Sequence, residues 1–396
     1  MRVLVVGGKL QGIEACYLAH RAGWEVVLID KDSSVPARGL CEVFLCHDAL
    51  KEPETLVGVF RDVDLIIPAM EDTEALKCLA EISSRSEIPL AFDLDAYLTT
   101  SSKKESDDLF YRLGLPAPRP WPECSPPVIV KPVRSSGSEG VRKMREVKAL
   151  EAFLQGNSVN REEWVTQEYL EGPSYSLEVI GLAGQCVTLQ ITGLEMDGTF
   201  DCKRVFAPVD LSADLDQEFK AMAGTLAERL NLTGLMDLEV VHHEGHLKIL
   251  EIDARLPSQT PAVVERSTGI NMLELLGDVF LRFRLPGVSM PKAQRGVVYE
   301  HIRVSNDRLE VSGEHIMAEA GPLHVEDGFF GGDLALTDFF SPARPWVATL
   351  IVSDATREGA WEKRCEIVET IMEACQLSAY HDPSPDNGPA SKGRRQ

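Results

Sequence analysis

Two hydrophobic rhythms alternate over the first hundred residues. Short apolar runs at Val3 to Val6, Val26 to Ile29, Val43 to Leu45, Leu65 to Ile67 and Leu90 to Phe92 predict buried strands. Between them the apolar positions fall at helical spacing, most clearly from Gly12 to Ala22 and from Thr73 to Ser84. Strand and helix in alternation predict a parallel, doubly wound α/β sheet, whose ligand crevice lies at the carboxyl ends of the strands. That rule places Gly7–Gly12, Asp30–Lys31 and Glu71–Asp72 on one rim.

The rhythm then changes. A second block, about 101–290, opens with a polar helix and Gly114-Leu115-Pro116-Ala117-Pro118, then continues with a strand ending in Lys131, a Gly/Ser loop and several β-rich segments. A third block, about 291–381, holds strands around Val297–Val304 and Trp346–Val352 and a helix from Thr356 to Cys375. Residues 382–396 lack periodicity and read as a disordered tail. The expected division is therefore 1–100, 101–290, 291–381 and the tail, α/β at the start and α+β overall.

Charge and composition narrow the function. A net charge of −22 argues against a nucleic-acid surface, which needs a basic face, and suits a cationic substrate. No apolar run approaches the roughly 20 residues of a membrane span. Met1-Arg2-Val3-Leu4-Val5-Val6-Gly7 is too short for a signal peptide. The expected location is the cytoplasm, with no membrane partner. Nine cysteines without a C-x-x-C pair fit reduced thiols; Cys41 and Cys46 are the closest two.

Chemistry concentrates in Gly234-Leu235-Met236-Asp237-Leu238-Glu239-Val240-Val241 and Leu247-Lys248-Ile249-Leu250-Glu251-Ile252-Asp253-Ala254-Arg255. Both read as strands, joined by a turn at Glu244-Gly245. Side chains two apart share a strand face, so Asp237 goes with Glu239, and Glu251 with Asp253 and Arg255. A hairpin gathers these four carboxylates, which suits Mg²⁺ with phosphate completing its shell. A ribbon with a solvated acidic face is the plain alternative, but the acids interrupt strands whose core pattern calls for Leu or Val.

Upstream, Pro126-Pro127-Val128-Ile129-Val130-Lys131-Pro132 ends an apolar strand with a lysine, followed by Val133-Arg134-Ser135-Ser136-Gly137-Ser138-Glu139-Gly140-Val141. Small residues, hydroxyls and free backbone N–H groups are the materials of a phosphate cradle. It is not a Walker A loop, since G-x-x-x-x-G-K-[ST] is absent. Val165-Thr166-Gln167-Glu168-Tyr169-Leu170-Glu171-Gly172 reads as a strand whose edge could pair with adenine.

In this order the pieces resemble the ATP-grasp superfamily over most of residues 1–290. The resemblance implies a Rossmann-like pre-ATP-grasp domain, central ATP-grasp lobes and a C-terminal α+β lobe. It implies ATP-phosphate contacts from Lys131 and Lys104, with Lys103 the alternative to Lys104, and closure of Ser136, Gly137 and Ser138 over the phosphates. Glu168 and Leu170 would meet adenine through their backbone, with Gln167 nearby, Glu171 at the ribose and Glu178 also on the nucleotide side. Glu239, Glu251 and Asp253 would bind two Mg²⁺, and Arg255 would steady the transferred phosphate; Asp253 stands where many members carry Asn. Together with Gly7-Gly8-Lys9-Leu10-Gln11-Gly12-Ile13-Glu14-Ala15, Pro68-Ala69-Met70-Glu71-Asp72 and Glu251-Ile252-Asp253-Ala254-Arg255-Leu256-Pro257-Ser258-Gln259-Thr260-Pro261, the chain resembles the ligases of pyrrolysine biosynthesis. Those ligases join 3-methyl-D-ornithine to L-lysine. The resemblance implies an acyl phosphate made from ATP and then attacked by the lysine ε-amine, with Asp237 as the positional candidate for the base. A homodimer is the assembly it suggests.

The amino-terminal glycines invite a dinucleotide-binding reading, with Asp30 at a ribose. Lys9 stands where the middle glycine of G-x-G-x-x-G belongs, which disfavours a dehydrogenase. An accessory nucleotide at Gly12, Asp30 and Lys31, or a turn that only packs helix on strand, are the two remaining readings. Lys9, Leu10, Gln11, Glu14 and Asp72 are candidates to meet an amino-acid substrate from this rim, and Asp237, Arg255 and Ser258 are further substrate candidates. Two other functions stay open: an ATP-grasp ligase for other amino acids or peptides, and a non-catalytic nucleotide-binding protein. The second sits poorly with a full set of phosphate lysines and metal carboxylates.

Overall fold

The computed structural model of the protein describes residues 1–51, 53–156, 160–288, 290–291 and 293–385. The amino-terminal sheet is parallel, in the order β3 (Val43–Cys46), β2 (Glu25–Asp30), β1 (Arg2–Val6), β4 (Leu65–Pro68). Val3 to Val6 are fully buried because helices cover both faces of β1, as an all-apolar strand requires. The helices expected at Gly12 and Thr73 run over Leu10–Arg21 and Thr73–Ser86. The fifth expected strand, Leu90 to Phe92, shrinks to a single bridge between Ile66 and Leu90. Pro89 lacks an N–H, and Asp93 already caps the helix Leu94–Thr100, which leaves little chain to extend.

A small antiparallel sheet follows, ordered β6 (Arg142–Met144), β5 (Val128–Pro132), β7 (Trp164–Glu168). Its own core is modest: Cys124, Val128, Val130 and Leu150.

Most of the remaining chain builds one 11-stranded sheet. Its strands are β8 (Ser174–Leu182), β9 (Gln185–Met196), β10 (Cys202–Ala207), β11 (Gly234–His243), β12 (His246–Asp253), β13 (Gly296–Ser305), β14 (Arg308–Val311), β15 (His324–Asp327), β16 (Leu334–Thr337), β17 (Trp346–Asp354) and β18 (Ala379–His381). The order runs β12-β11-β8-β9-β10-β13-β17-β16-β15, with β14 branching from β13 and β18 pairing with β14. The expected break near 290 is thus a change in sequence texture rather than a gap in the fold, because β10 pairs with β13 from Arg204↔Glu300 to Ala207↔Val297. The tail also departs from expectation. Asp382 is held by Lys203, Arg204 and Tyr380, so the start of the tail is anchored, and 386–396 lie outside the described residues.

One face of the hairpin β11–β12 is core and the other is chemistry. Met236, Leu238 and Val240 pack with Phe110 and Phe219 from the helices Lys103–Leu113 and Ala213–Leu230. Asp237, Glu239 and Val241, one residue out of phase, line a cavity on the opposite face. On β12 the core side chains are Leu247 and Ile249, then Ile252 and Ala254. The phase slips because the register shifts where Glu239↔Glu251 gives way to Val240↔Ile249. Leu250 is the extra residue of that bulge. It turns Glu251 and Asp253 onto the cavity face.

Candidate active site

The cavity, about 520 Å³, lies between the small sheet and the large one. Strand register arranges the nearby acids in two rows; Asp237, Glu239, Glu251 and Asp253 line the cavity, whereas Glu178, expected on the nucleotide side, is fully buried and does not. Glu178, Asp237 and Asp253 are cross-strand partners in one, and Ser176, Glu239 and Glu251 in the next. Three cations answer them. Lys103 Nζ meets Glu251 Oε1 at 2.9 Å, Arg255 Nη2 meets Asp253 Oδ2 at 3.1 Å, and buried Lys131 donates to the bulge carbonyl of Leu250 at 3.4 Å. Gln167, with its amide oxygen toward Lys131, accepts from Nζ at 3.2 Å and donates to Asp107 at 3.3 Å.

These cations neutralise only part of the cluster. At Glu251 burial acts to raise the pKa, but Lys103 and Lys131 outweigh it and hold the carboxyl below its ordinary value. At Glu239 burial, then the charges of Glu251 and Asp253, outweigh Arg255 and push the carboxyl up to about 8. Burial lifts Asp253 to about 7 despite Arg255, and lifts Glu178 to about 7. Asp237, 6% exposed with Oδ1 unpartnered, is also raised by burial and by Asp253. Hard oxygen donors carrying uncompensated charge fit a divalent cation such as Mg²⁺. Glu239, Glu251 and Asp253 are the residues that would hold it.

Several other expected residues come to the same cavity: Ser136, Gly137, Ser138, Glu168, Leu170 and Ser258 all line it. The Glu168 carboxylate itself is clamped by Arg119 and Lys248, each at 2.8 Å. Those bonds outweigh burial and hold its pKa near 2.

Others are placed differently. Lys104 is exposed and points away, while Lys103, 8% exposed, reaches the cavity and donates to the Ser135 carbonyl. Helix phase decides between them, since Lys103 shares the buried face of Ser106 and Phe110. Asp72 caps the helix Thr73–Ser86 through the N–H groups of Glu74 and Ala75. Its neighbour Glu71 faces the site instead, pairing with Arg255 Nε at 3.0 Å and accepting from Gln11 at 3.0 Å. Glu14 is 1% exposed and accepts from the Ala262 N–H at 2.6 Å, joining the first helix to the start of Thr260–Thr268. Glu171 is exposed, and its backbone is bonded to the His243 ring. Lys9 is exposed and Leu10 packs on the main core, so neither lines the cavity.

The glycine turn is occupied by the protein itself. A Cβ on Gly12 would lie 2.2 Å from the Gly7 carbonyl oxygen, and one on Gly8 would lie 2.4 Å from Val35. Asp30 accepts from the Gly8 N–H at 2.7 Å, and Lys31 stays exposed beside it. Helix-on-strand packing accounts for these contacts. Reasoning from sequence missed Glu314, which lines the cavity from the third block and accepts from Ser258 at 2.6 Å and Gln259 at 2.8 Å. It belongs to no motif; only the continuity of the large sheet brings it there.

Residues 100–259 match the ATP-grasp domain. Over 375 residues the chain is 33% identical to the 3-methyl-D-ornithine–L-lysine ligase of Methanosarcina barkeri, covering 94% of this chain and 98% of that protein. The chain belongs to this ATP-grasp ligase family. The ligase of Methanosarcina acetivorans with the same name is 34% identical, with 91% and 95% covered. Solved structures share the fold. The biotin carboxylase domain of Hydrogenobacter thermophilus 2-oxoglutarate carboxylase, in complex with MgADP, ADP and bicarbonate, superposes with a TM-score of 0.71 at 14% identity over 95% of this chain and 93% of that one. An L-amino acid ligase from Bacillus licheniformis gives 0.65 at 16%, with 93% and 97% covered. As a member of the family, the protein is an ATP-dependent carboxylate–amine ligase. No helix among the described residues is long and apolar enough to cross a membrane.

Proposed function

We propose that the protein uses ATP to join the carboxylate of 3-methyl-D-ornithine to the ε-amine of L-lysine, in the cytoplasm. The reading is carried by one cavity in which Asp237, Glu239, Glu251 and Asp253 face Lys103, Lys131 and Arg255. The near full-length similarity to ligases of that name supplies the substrate pair.

Lys103 and Lys131 hold the ATP phosphates, the Ser136–Ser138 loop covers them, and the backbone at Glu168 and Leu170 receives the adenine. Two Mg²⁺, held by Glu239, Glu251 and Asp253, would screen the repulsion between phosphate and carboxylate, the main obstacle to phosphoryl transfer. Arg255, fixed between Asp253 and Glu71, steadies the phosphoryl group as it moves to the amino-acid carboxylate. The amine must then attack as a free base. A lysine ε-amine of pKa about 10.4 costs roughly 4.6 kcal/mol to deprotonate at pH 7. Asp237, buried and proton-seeking, takes that proton as the C–N bond forms. Glu314 offers a carboxylate to a second substrate ammonium.

Mass spectrometry of reactions containing ATP, Mg²⁺, 3-methyl-D-ornithine and L-lysine, with each omitted in turn, tests the reading. An amide formed only in the complete mixture, with ADP, supports it. ADP without amide overturns the amine assignment, and neither product from ATP-binding protein overturns the substrate pair.

A further inference from the structure

The carboxyl-terminal segment leaves the large sheet at β18 and crosses β10 within four residues. Two buried cations meet it there. Lys203, 2% exposed, pairs with Asp382 Oδ1 at 2.5 Å and donates to the Pro383 carbonyl. Arg204, also 2% exposed, pairs with Asp382 Oδ2 at 2.8 Å while sharing Glu300 and Glu195. Adjacent strand residues normally face opposite ways; here the register shift between Cys202 and Arg204 lets both reach one carboxylate. Beyond this latch Ser384 and Pro385 form part of the wall of the ligand cavity.

The segment also touches the turn between β9 and β10. A Cβ on Gly198 would lie 3.8 Å from Pro383 and 4.0 Å from the Ser384 carbonyl oxygen. The same turn is gripped from the other side by the small sheet. Ser138 of the phosphate loop donates to the Phe200 carbonyl at 2.5 Å, and Tyr169 packs edge-on against the Phe200 ring. One turn therefore has the phosphate loop docked on one side and the chain terminus on the other.

We propose that Asp382–Pro385 are a strap that closes the cavity wall and fixes the docking turn of the phosphate loop. Its work is to keep water from the activated carboxylate until the amine attacks. Water reaching an acyl phosphate adds to it and returns free carboxylate and inorganic phosphate, so ATP is spent without an amide. The coupling part of this inference rests on the ligase reading above; the docking part does not.

Two measurements separate them. ADP and amide are quantified for the full chain, for a chain ending at His381, for one ending at Pro385, and for Asp382→Asn. The full chain and the chain ending at Pro385 are expected to give about one ADP per amide. The chain ending at His381 and D382N are expected to give at least three ADP per amide, with a lower melting temperature because Lys203 and Arg204 lose a shared carboxylate. Equal ratios in all four proteins overturn the strap, and loss of coupling on removing 386–396 alone overturns its assignment to Asp382–Pro385. Amide hydrogen exchange in the presence of ADP reads docking directly. Faster exchange at 134–140 and 196–202 in D382N is expected, and unchanged exchange refutes it. Should the full chain make no amide, the substrate pair falls, while the exchange result still decides the strap. D382N carries both tests should the shorter chain not fold.

Discussion

Glu14 turns the contact between the amino-terminal domain and the helix Thr260–Thr268 into a pH-dependent one. It is 1% exposed and accepts from the Ala262 N–H at 2.6 Å, yet burial lifts its pKa from 4.5 to about 8. A carboxyl with a higher pKa folded than unfolded binds more protons when folded, so stability falls as pH rises from about 4.5 and levels off above about 8. Linkage puts this penalty at about 1 kcal/mol at pH 5 and about 4 kcal/mol at pH 8. Glu14→Gln keeps a carbonyl oxygen for the Ala262 N–H and cannot ionise. The stability difference, variant minus wild type, should therefore grow by about 3 kcal/mol between pH 5 and pH 8. Urea unfolding of both proteins at four pH values, without Mg²⁺ or nucleotide, measures it, and the subtraction removes the other buried carboxylates. A difference that is flat with pH, or that shrinks as pH rises, refutes the reasoning.

Lys103→Met should lower kcat/KM for ADP formation by about 100-fold, the loss of a charge-assisted phosphate contact worth about 3 kcal/mol. Lys104→Met should stay within about twofold, and steady-state assays showing the reverse ranking return the role to Lys104. Asp72→Ala should cost about 1 kcal/mol of stability as a lost helix cap and leave substrate KM unchanged. Glu71→Gln should instead raise the KM for an amino-acid substrate, because it frees Arg255 and Gln11; thermal melts and KM measurements on both variants tell them apart. Glu239→Gln should raise the Mg²⁺ concentration for half-maximal activity at least tenfold. A magnesium titration matching wild type would remove Glu239 from the metal site.

Legibility followed the physics that each residue depended on. The carboxylates of β11 and β12 could be read because strand geometry is local: Asp237 and Glu239 interrupt an apolar alternation and must face away from the core. The choice between Lys103 and Lys104 was also written locally, in the spacing to Ser106 and Phe110, and reading helix phase would have found it. Asp72 likewise stands immediately before a helix, where an acid caps before it binds. Glu314, Lys203 and the strap were beyond local pattern. Each acquires its role from partners between 55 and 180 residues away, brought close by pairing across the large sheet. Glu14 misled for a related reason: its helix starts on the ligand rim, but its own phase points it into a domain contact.

The continuity of the large sheet has a consequence for anyone who would cut the protein down. The stretch 100–259 that matches the ATP-grasp domain carries Lys103, Lys131 and the carboxylates of the hairpin, and looks self-sufficient. A fragment ending near residue 290 would strip β13 from β10 and leave a row of backbone donors and acceptors open to any passing strand. It would also take Glu300 and Asp382 from Arg204, stranding a cation evolved for a dry interior. Such a fragment would aggregate rather than work, which makes the strands from β13 to β18 part of the folding unit of the acidic hairpin.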